Sequence, residues 1–374
     1  MTISFGGIQI KRPGSYSVVS TETNTIKNSG GFKILAVVGR VGTDTTITGD
    51  DLNKVHAFNS PSDARTKVGA ISSTHNEEDT LLVMNAAWDN GADLILFSPL
   101  PHSSNVTDAN WQTAIDRLEL QPVDAIIPVT TAEGIIAKIK THVNTMSNTT
   151  NRKERRAFIG HDTTSTNSQI LGIATTQNSE RVVLASPAVV VKKIDNTTAT
   201  KPSYILAGAY AGKWASQGYQ ENLTYKYINT GTITDLATKH TSTAIIDFVD
   251  GKVAVSEFVY GKGLRIVKGV TTSSDTDITK TELSIASLVD FMSKDIREYF
   301  EDNFVGIPAV AGIESSVYVQ VISKIEEYLK NGYISGYDAK KVSATRSDSI
   351  ITITWEATPT IPVNNFLITS TFTL

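Results

Sequence analysis

From residue 33 to residue 270, short apolar runs alternate with longer segments of helical spacing, and that rhythm leaves few folds open to the chain. KILAVV (33–38), ADLILF (92–97), VDAIIPV (123–129), RRAFIG (155–160) and RVVLASP (181–187) have the length and apolar content of strands buried on both faces. Between them, Glu77 to Asn90, Glu133 to Met146, a polar stretch around Ser168 and ILAGAYAGKWAS (205–216) read as helices. Strand and helix alternating at this spacing specify a mostly parallel sheet with crossover helices. TAIIDFV (243–249) and KVAVSEFVY (252–260) flank Asp250-Gly251, which predicts a β-hairpin, and LRIVKGV (264–270) is the expected last strand of this α/β body.

The last hundred residues change character. Thr279 and Glu282 have the spacing of a capping box ahead of Ile285, Leu288, Val289, Met292, Ile296 and Phe300, a helical stripe expected to end near Gly306. A second helix carries Tyr318, Val321, Ile322, Ile325 and Leu329 and should stop at Asn331-Gly332. Two alternating strands follow, IITITWE (350–356) and NFLITSTFTL (365–374). The fold class expected is therefore an α/β body plus a C-terminal α+β domain. A length of 374 residues fits two or three packed units, given about 100 to 200 residues per core. The stretch PLPHSSN (99–105) marks a boundary, and the segments read as an N-terminal arm (1–28), a body in two parts (29–102 and 103–272), a C-terminal domain (273–345) and final strands with an arm (346–374).

Both ends are apolar and β-patterned, which is unusual because ordering a free terminus costs about 1 to 2 kcal/mol per residue. Ile3, Phe5, Ile8 and Ile10 alternate before Pro13-Gly14, and Phe366, Ile368 and Phe372 share one face of the last strand. Two readings stand: ordinary edge strands of their own subunit, or strands added to the sheets of neighbouring subunits.

Composition narrows the chemistry. A net charge of -4 without a long basic run argues against direct nucleic-acid binding, and the absence of cysteine excludes disulfides, thiolate zinc sites and cysteine nucleophiles. No stretch reaches about 18 uninterrupted apolar residues, and the opening lacks a secretory pattern, so membrane insertion is not expected and folding in a cytoplasm is. The six histidines have no metal-ligand spacing. Gly208 to Trp214 resembles a phosphate loop but is one residue short and has Trp at the magnesium-binding position, so a small-residue helix is the better reading. Gly39-Arg40-Val41-Gly42 lacks the third glycine of the dinucleotide fingerprint and reads as a tight turn. His161-Asp162 lacks a nucleophile elbow, and the acids Glu301-Asp302 and Glu326-Glu327, near Arg297, Lys324 and Lys330, read as a solvated, ion-paired face. No cofactor or catalytic residue is expected.

The order of segments resembles the contractile phage tail sheath family, including the sheaths of contractile bacteriocins. The resemblance rests on Lys11-Arg12-Pro13-Gly14-Ser15-Tyr16, KILAVVGRVG, NGADLILF after a helix, GLRIVKGVTT (263–272) and the two C-terminal helices with GYISGYD (332–338). Ser15 departs from the family's larger aliphatic residue, and the lack of large outer insertions points to a minimal sheath. The resemblance implies a non-enzymatic subunit that stacks as hexameric rings around a tail tube, meets baseplate and terminator proteins, and contracts to drive the tube through a host envelope. It implies assembly in the bacterial cytoplasm and residence in the virion tail. It also implies that Ile3, Phe5, Ile8, Ile10, Phe366, Ile368 and Phe372 link subunits by strand exchange, and it makes the exposed charges Lys324, Glu327 and Lys330 candidates for tube contact. The alternatives are another self-assembling structural subunit, or an α/β enzyme with a small-molecule pocket.

Overall fold

The computed structural model describes residues 33–71, 76–102 and 106–364, together with the backbone of two short N-terminal strands. Those strands, β1 (Ile3–Phe5) and β2 (Ile8–Ile10), pair antiparallel with Ile3 opposite Ile10. The body then runs β3 (Leu35–Arg40), β4 (His56–Phe58), α1 (Pro61–Val68), α2 (Asp79–Asp89), β5 (Ile95–Leu100), α3 (Asp108–Asp116), β6 (Ala125–Pro128) and α4 (Glu133–Met146). It continues through β7 (Arg156–Ile159), α5 (Asn167–Gln177), β8 (Val182–Ser186), β9 (Val189–Lys192), β10 (Thr198–Lys201) and α6 (Tyr204–Ala215). Then come β11 (Tyr227–Ile228), β12 (Ile233–Leu236), α7 (Ser242–Asp250), β13 (Ala254–Val259) and β14 (Gly263–Ile266).

Nine of these strands form one sheet in the order β11-β14-β13-β8-β7-β6-β3-β5-β4. The six from β13 to β5 are parallel, and the antiparallel β4, β14 and β11 close the edges with short strands. Alternate residues of β3 serve opposite faces, as a central strand requires: Leu35 and Val37 join α2 and α6 in one core, while Ala36 and Val38 join α3, α4, α5 and α7 in the other. Because β3 lies between β5 and β6, the expected boundary at residues 99–105 does not divide the sheet, and β5 runs three residues further than the predicted ADLILF strand.

One sequence expectation fails in the body. Ser242–Asp250 is helix, not the first arm of a hairpin. Thr241 caps its first turn by accepting from the Ala244 amide, and Ile245, Phe248 and Val249, at helical spacing, pack on the second core. Gly251 ends the helix with an ordinary negative φ and lies so close to Leu171 that a Cβ would come within 2.2 Å of it. The hairpin turn occurs later, between β13 and β14, where Gly261 and Gly263 take φ values of +74° and +97° that other residues resist. The strand predicted for 264–270 is correspondingly short.

The C-terminal unit contains α8 (Ile278–Thr281), α9 (Leu283–Phe304), α10 (Ile313–Lys330), β15 (Ile334–Tyr337), β16 (Ser343–Ser347), β17 (Ile350–Thr354) and β18 (Ala357–Pro359). Its core gathers Leu288, Met292, Val317, Val321, Ile325 and Tyr328 beneath two small sheets, β15 with β18 and β16 with β17. The predicted capping box does not form. Asp277 caps first, accepting from the Thr279 amide at 2.9 Å, and the Glu282 carboxylate turns to Asn222 Nδ2 at 2.7 Å. On α10 the inward stripe is Ile313, Val317, Val321, Ile325 and Tyr328, leaving the predicted core residues Tyr318 and Leu329 on the exposed side. No described helix is long and apolar enough to cross a membrane.

Candidate functional site

Enzyme-like features resolve into structural ones. Gly208 and Gly212 let α6 lie against α2: a Cβ at Gly212 would stand 2.2 Å from the Ala87 carbonyl oxygen, and one at Gly208 would stand 2.7 Å from that of Val83. Gly39 and Arg40 belong to β3 itself, so the expected tight turn begins only after them. His161 places Nε2 3.1 Å from Ser186 Oγ, but both are buried, its Nδ1 faces the Asp162 backbone oxygen at 2.8 Å, and the Asp162 carboxylate accepts from Thr164. Burial holds the His161 imidazole neutral, with its pKa lowered to about 4.

At the carboxyl ends of β3 and β6, where strand order reverses and α/β proteins commonly bind ligands, a crevice of about 360 Å3 opens. Two of its polar groups are already committed: the Thr80 hydroxyl donates to the Arg40 carbonyl oxygen at 2.6 Å, and the Tyr204 hydroxyl donates to Asp79. Among the described residues no group of three or more His, Asp or Glu could hold a metal ion.

The most elaborate charged site joins the body to α9. Asp290 accepts from Arg156 Nη2 at 2.5 Å and from both terminal nitrogens of Arg181 at 2.8 and 3.0 Å, with the Arg156 side chain only 3% exposed. Two and three turns further on, Arg297 makes a bidentate pair with Glu154 at 3.0 and 2.9 Å, and Glu301 pairs with Arg152. The expected solvated face around Arg297 and Glu301 is thus partly an internal seam. Beside it, Lys33 donates to the carbonyl oxygens of Trp214 and Gln217 at 2.9 and 2.5 Å and lies over the Trp214 and Tyr219 rings. Burial lowers the Lys33 pKa to about 8. Tyr219 in turn stacks on Phe291 of α9 at 4.2 Å.

The three candidate tube-contact charges divide. Lys324 is not an exposed charge: its side chain is 14% exposed, 3.0 Å from both Asp295 and Glu327, and near the Tyr299 and Tyr328 rings. It ties α10 to α9, while Glu327 and Lys330 face solvent. Sequence reasoning overlooked the apolar loop between these helices, where Val305 and Val310 are 75% and 63% exposed; the uncharged run from Phe304 to Ile313 was the available signal.

Of the arm residues, Ile3, Phe5, Ile8 and Ile10 lie in the β1–β2 ribbon, which pairs with no other described strand. The Gly6-Gly7 pair between the two runs was the unread hairpin cue. Phe366, Ile368 and Phe372 lie outside the described residues. The described chain leads up to them at Asn364, whose side-chain oxygen is 3.4 Å from Asn222 Nδ2 at the seam with the body. Among the described residues the two small C-terminal sheets have two strands each, with no further described strand along their edges.

No protein-family model matches the chain. It is 27% identical to a curated tail sheath protein of Bacillus phage SP01 over 269 residues, 71% of this chain and 46% of the relative. The chain therefore spans about half the length of the curated relatives it matches or less: tail sheath proteins of Staphylococcus phage Twort and Enterococcus phage phiEF24C, the latter described as putative, are covered over 33% and 47% of their lengths. Among solved structures, the anti-feeding prophage helical sheath in its contracted state aligns over 96% of this chain and 98% of that one, with a TM-score of 0.70 at 14% identity. A sheath tail protein from Desulfitobacterium hafniense aligns over 92% and 96%, with a TM-score of 0.67 at 13% identity. The mixed α/β fold is thus that of known sheath proteins, and the chain is related to the tail sheath proteins of phages, which are structural components.

Proposed function

We propose that this relative of the phage tail sheath proteins is itself a sheath subunit, a structural protein that works as a polymer. The carrying observation is the match of nearly the whole chain to a contracted sheath, supported by a C-terminal unit whose small sheets have two described strands each. In this reading subunits stack as hexameric rings around a tail tube. Ile3, Phe5, Ile8, Ile10, Phe366, Ile368 and Phe372 supply strands to neighbouring C-terminal units, and contraction from a metastable extended lattice drives the tube through the envelope. Each exchanged main-chain hydrogen bond contributes about 0.5 to 1.5 kcal/mol, so an arm of several bonds can hold neighbours together while the bodies rotate. Glu327 and Lys330, which are exposed, and Lys324, through the helix pair it fixes, are the proposed tube-facing charges. The remaining partners are baseplate and terminator proteins, and the place of work is the virion tail after assembly in the host cytoplasm.

Negative-stain microscopy of the purified full chain beside a chain ending at Asn364 tests this. Hollow striated tubes from the first and none from the second support strand-linked assembly. Dispersed monomers from both, at concentrations that favour assembly, overturn it.

A further inference from the structure

At the end of β10 a lysine, an amide and a buried acid meet in a cluster to which the proposed function assigns no role. Lys201, 6% exposed, holds Nζ 3.1 Å from Asn76 Oδ1 and 2.7 Å from Asp79 Oδ1. Asp79 is fully buried at the start of α2, and its other oxygen accepts from the Tyr204 hydroxyl. Burial, ahead of any partner, raises the Asp79 pKa, so this acid is suited to hold a proton. Glu78 stands 3.3 Å from the same Nζ but also 3.4 Å from Lys193, which gives its charge a second cation. Asn76 has a left-handed backbone, φ +55°, and its carbonyl oxygen accepts from the Asp79 amide at 2.9 Å, which fixes the residue across the amino end of α2.

We infer that Lys201 and Asn76 join in an intramolecular isopeptide bond, with Asp79 moving the protons. The Lys201 ammonium gives a proton to the Asp79 carboxylate, and the freed Nζ attacks Asn76 Cγ. As the tetrahedral adduct collapses, the Nζ–Cγ bond stays and the Cγ–Nδ2 bond breaks. Asp79 hands its proton to the departing nitrogen, which also takes the second proton released from Nζ and leaves as ammonium. Lysine ammonium plus carboxamide thus becomes secondary amide plus ammonium, with no oxidant, metal or nucleotide consumed. The geometry supplies what the uncatalysed reaction lacks: an amine held within hydrogen-bond reach of the amide it attacks, and a buried acid 2.7 Å from the nucleophile. Asn76 is exposed although Lys201 and Asp79 are buried, so the ammonium escapes to solvent and the reaction runs one way. The bond would clip together residues 125 positions apart.

Intact-mass spectrometry of the full chain after incubation at neutral pH reads the outcome. The expected result is a mass lower by one ammonia, with a branched peptide joining the Asn76 and Lys201 fragments. Asn76→Ala, a change at an exposed side chain, should restore the sequence mass, and Asn76→Asp should reach the linked mass by losing water instead. Asp79→Asn should slow formation by roughly a hundredfold. A full chain that stays at its sequence mass overturns the inference. So does an ammonia deficit that persists in Asn76→Ala, which would place the loss at an Asn-Gly pair such as Asn331-Gly332.

Discussion

Asp290 answers two arginines, and one of them is almost completely shut away from water. Replacing it with alanine leaves buried positive charge without a counterion, so Asp290→Ala should lower unfolding free energy by about 3 to 5 kcal/mol in urea titrations. The exposed pair Arg152–Glu301 lies on the same seam, and Glu301→Ala should cost under about 1 kcal/mol. Equal losses at the two sites would mean that burial does not set the scale. None of this was legible in sequence: Arg155-Arg156 open an apolar strand, but Asp290 lies 134 residues from Arg156 and nothing in the local pattern points to it.

His142 and His161 make a second prediction at this scale. Both have pKa values lowered from 6.5 to about 4, chiefly by burial, with Arg155 adding to the effect on His142. The unfolded chain therefore binds protons near pH 6.5 that the folded chain refuses until about pH 4. Their contribution is complete above pH 6.5 and drains away as pH falls toward 4, by up to about 1.4 kcal/mol per pH unit for each histidine. Urea midpoints measured between pH 7.5 and 4.5 should decline accordingly, and a profile flat through that window would contradict the burial argument.

Among the elements, helix α6 shows best how local composition becomes packing. Its run of alanines and glycines looked like a phosphate loop, yet what the glycines provide is room for the α2 backbone. Gly212→Ala should cost about 1 to 3 kcal/mol by overpacking and lower the melting temperature, whereas Gly134→Ala, which meets open space, should not. Most parallel strands were readable because a strand buried on both faces is a continuous apolar run. Residues 243–249 were misread for the same reason: a short apolar run fits a buried strand or one face of a helix, and only the crossover between neighbouring strands selects the helix. The capping box was misread because Asp277 stood two residues ahead of Thr279 and reached the free amides first.

For the whole molecule, an α/β body followed by a smaller α+β part was legible in the change of periodicity over the last hundred residues, whereas the seam joining the two was not. Helix α9 belongs to both: Leu283 sits in the core of the body, and Leu288 and Met292 sit in the core of the C-terminal unit. Hydrogen exchange of the unassembled chain should find amides 286–290 protected along with the central strands, while those of β16 and β17, whose sheet has two described strands, exchange earlier. Early exchange at 286–290 would make the seam a hinge. With 22 residues, α9 is about 33 Å long, anchored at one end in a deep foundation and stitched along its length by charge. In engineering terms it is a cantilever. A twisting load applied to the α/β body has no soft joint in which to dissipate along this helix, so it arrives at the far tip, and at the apolar loop beyond it, as displacement.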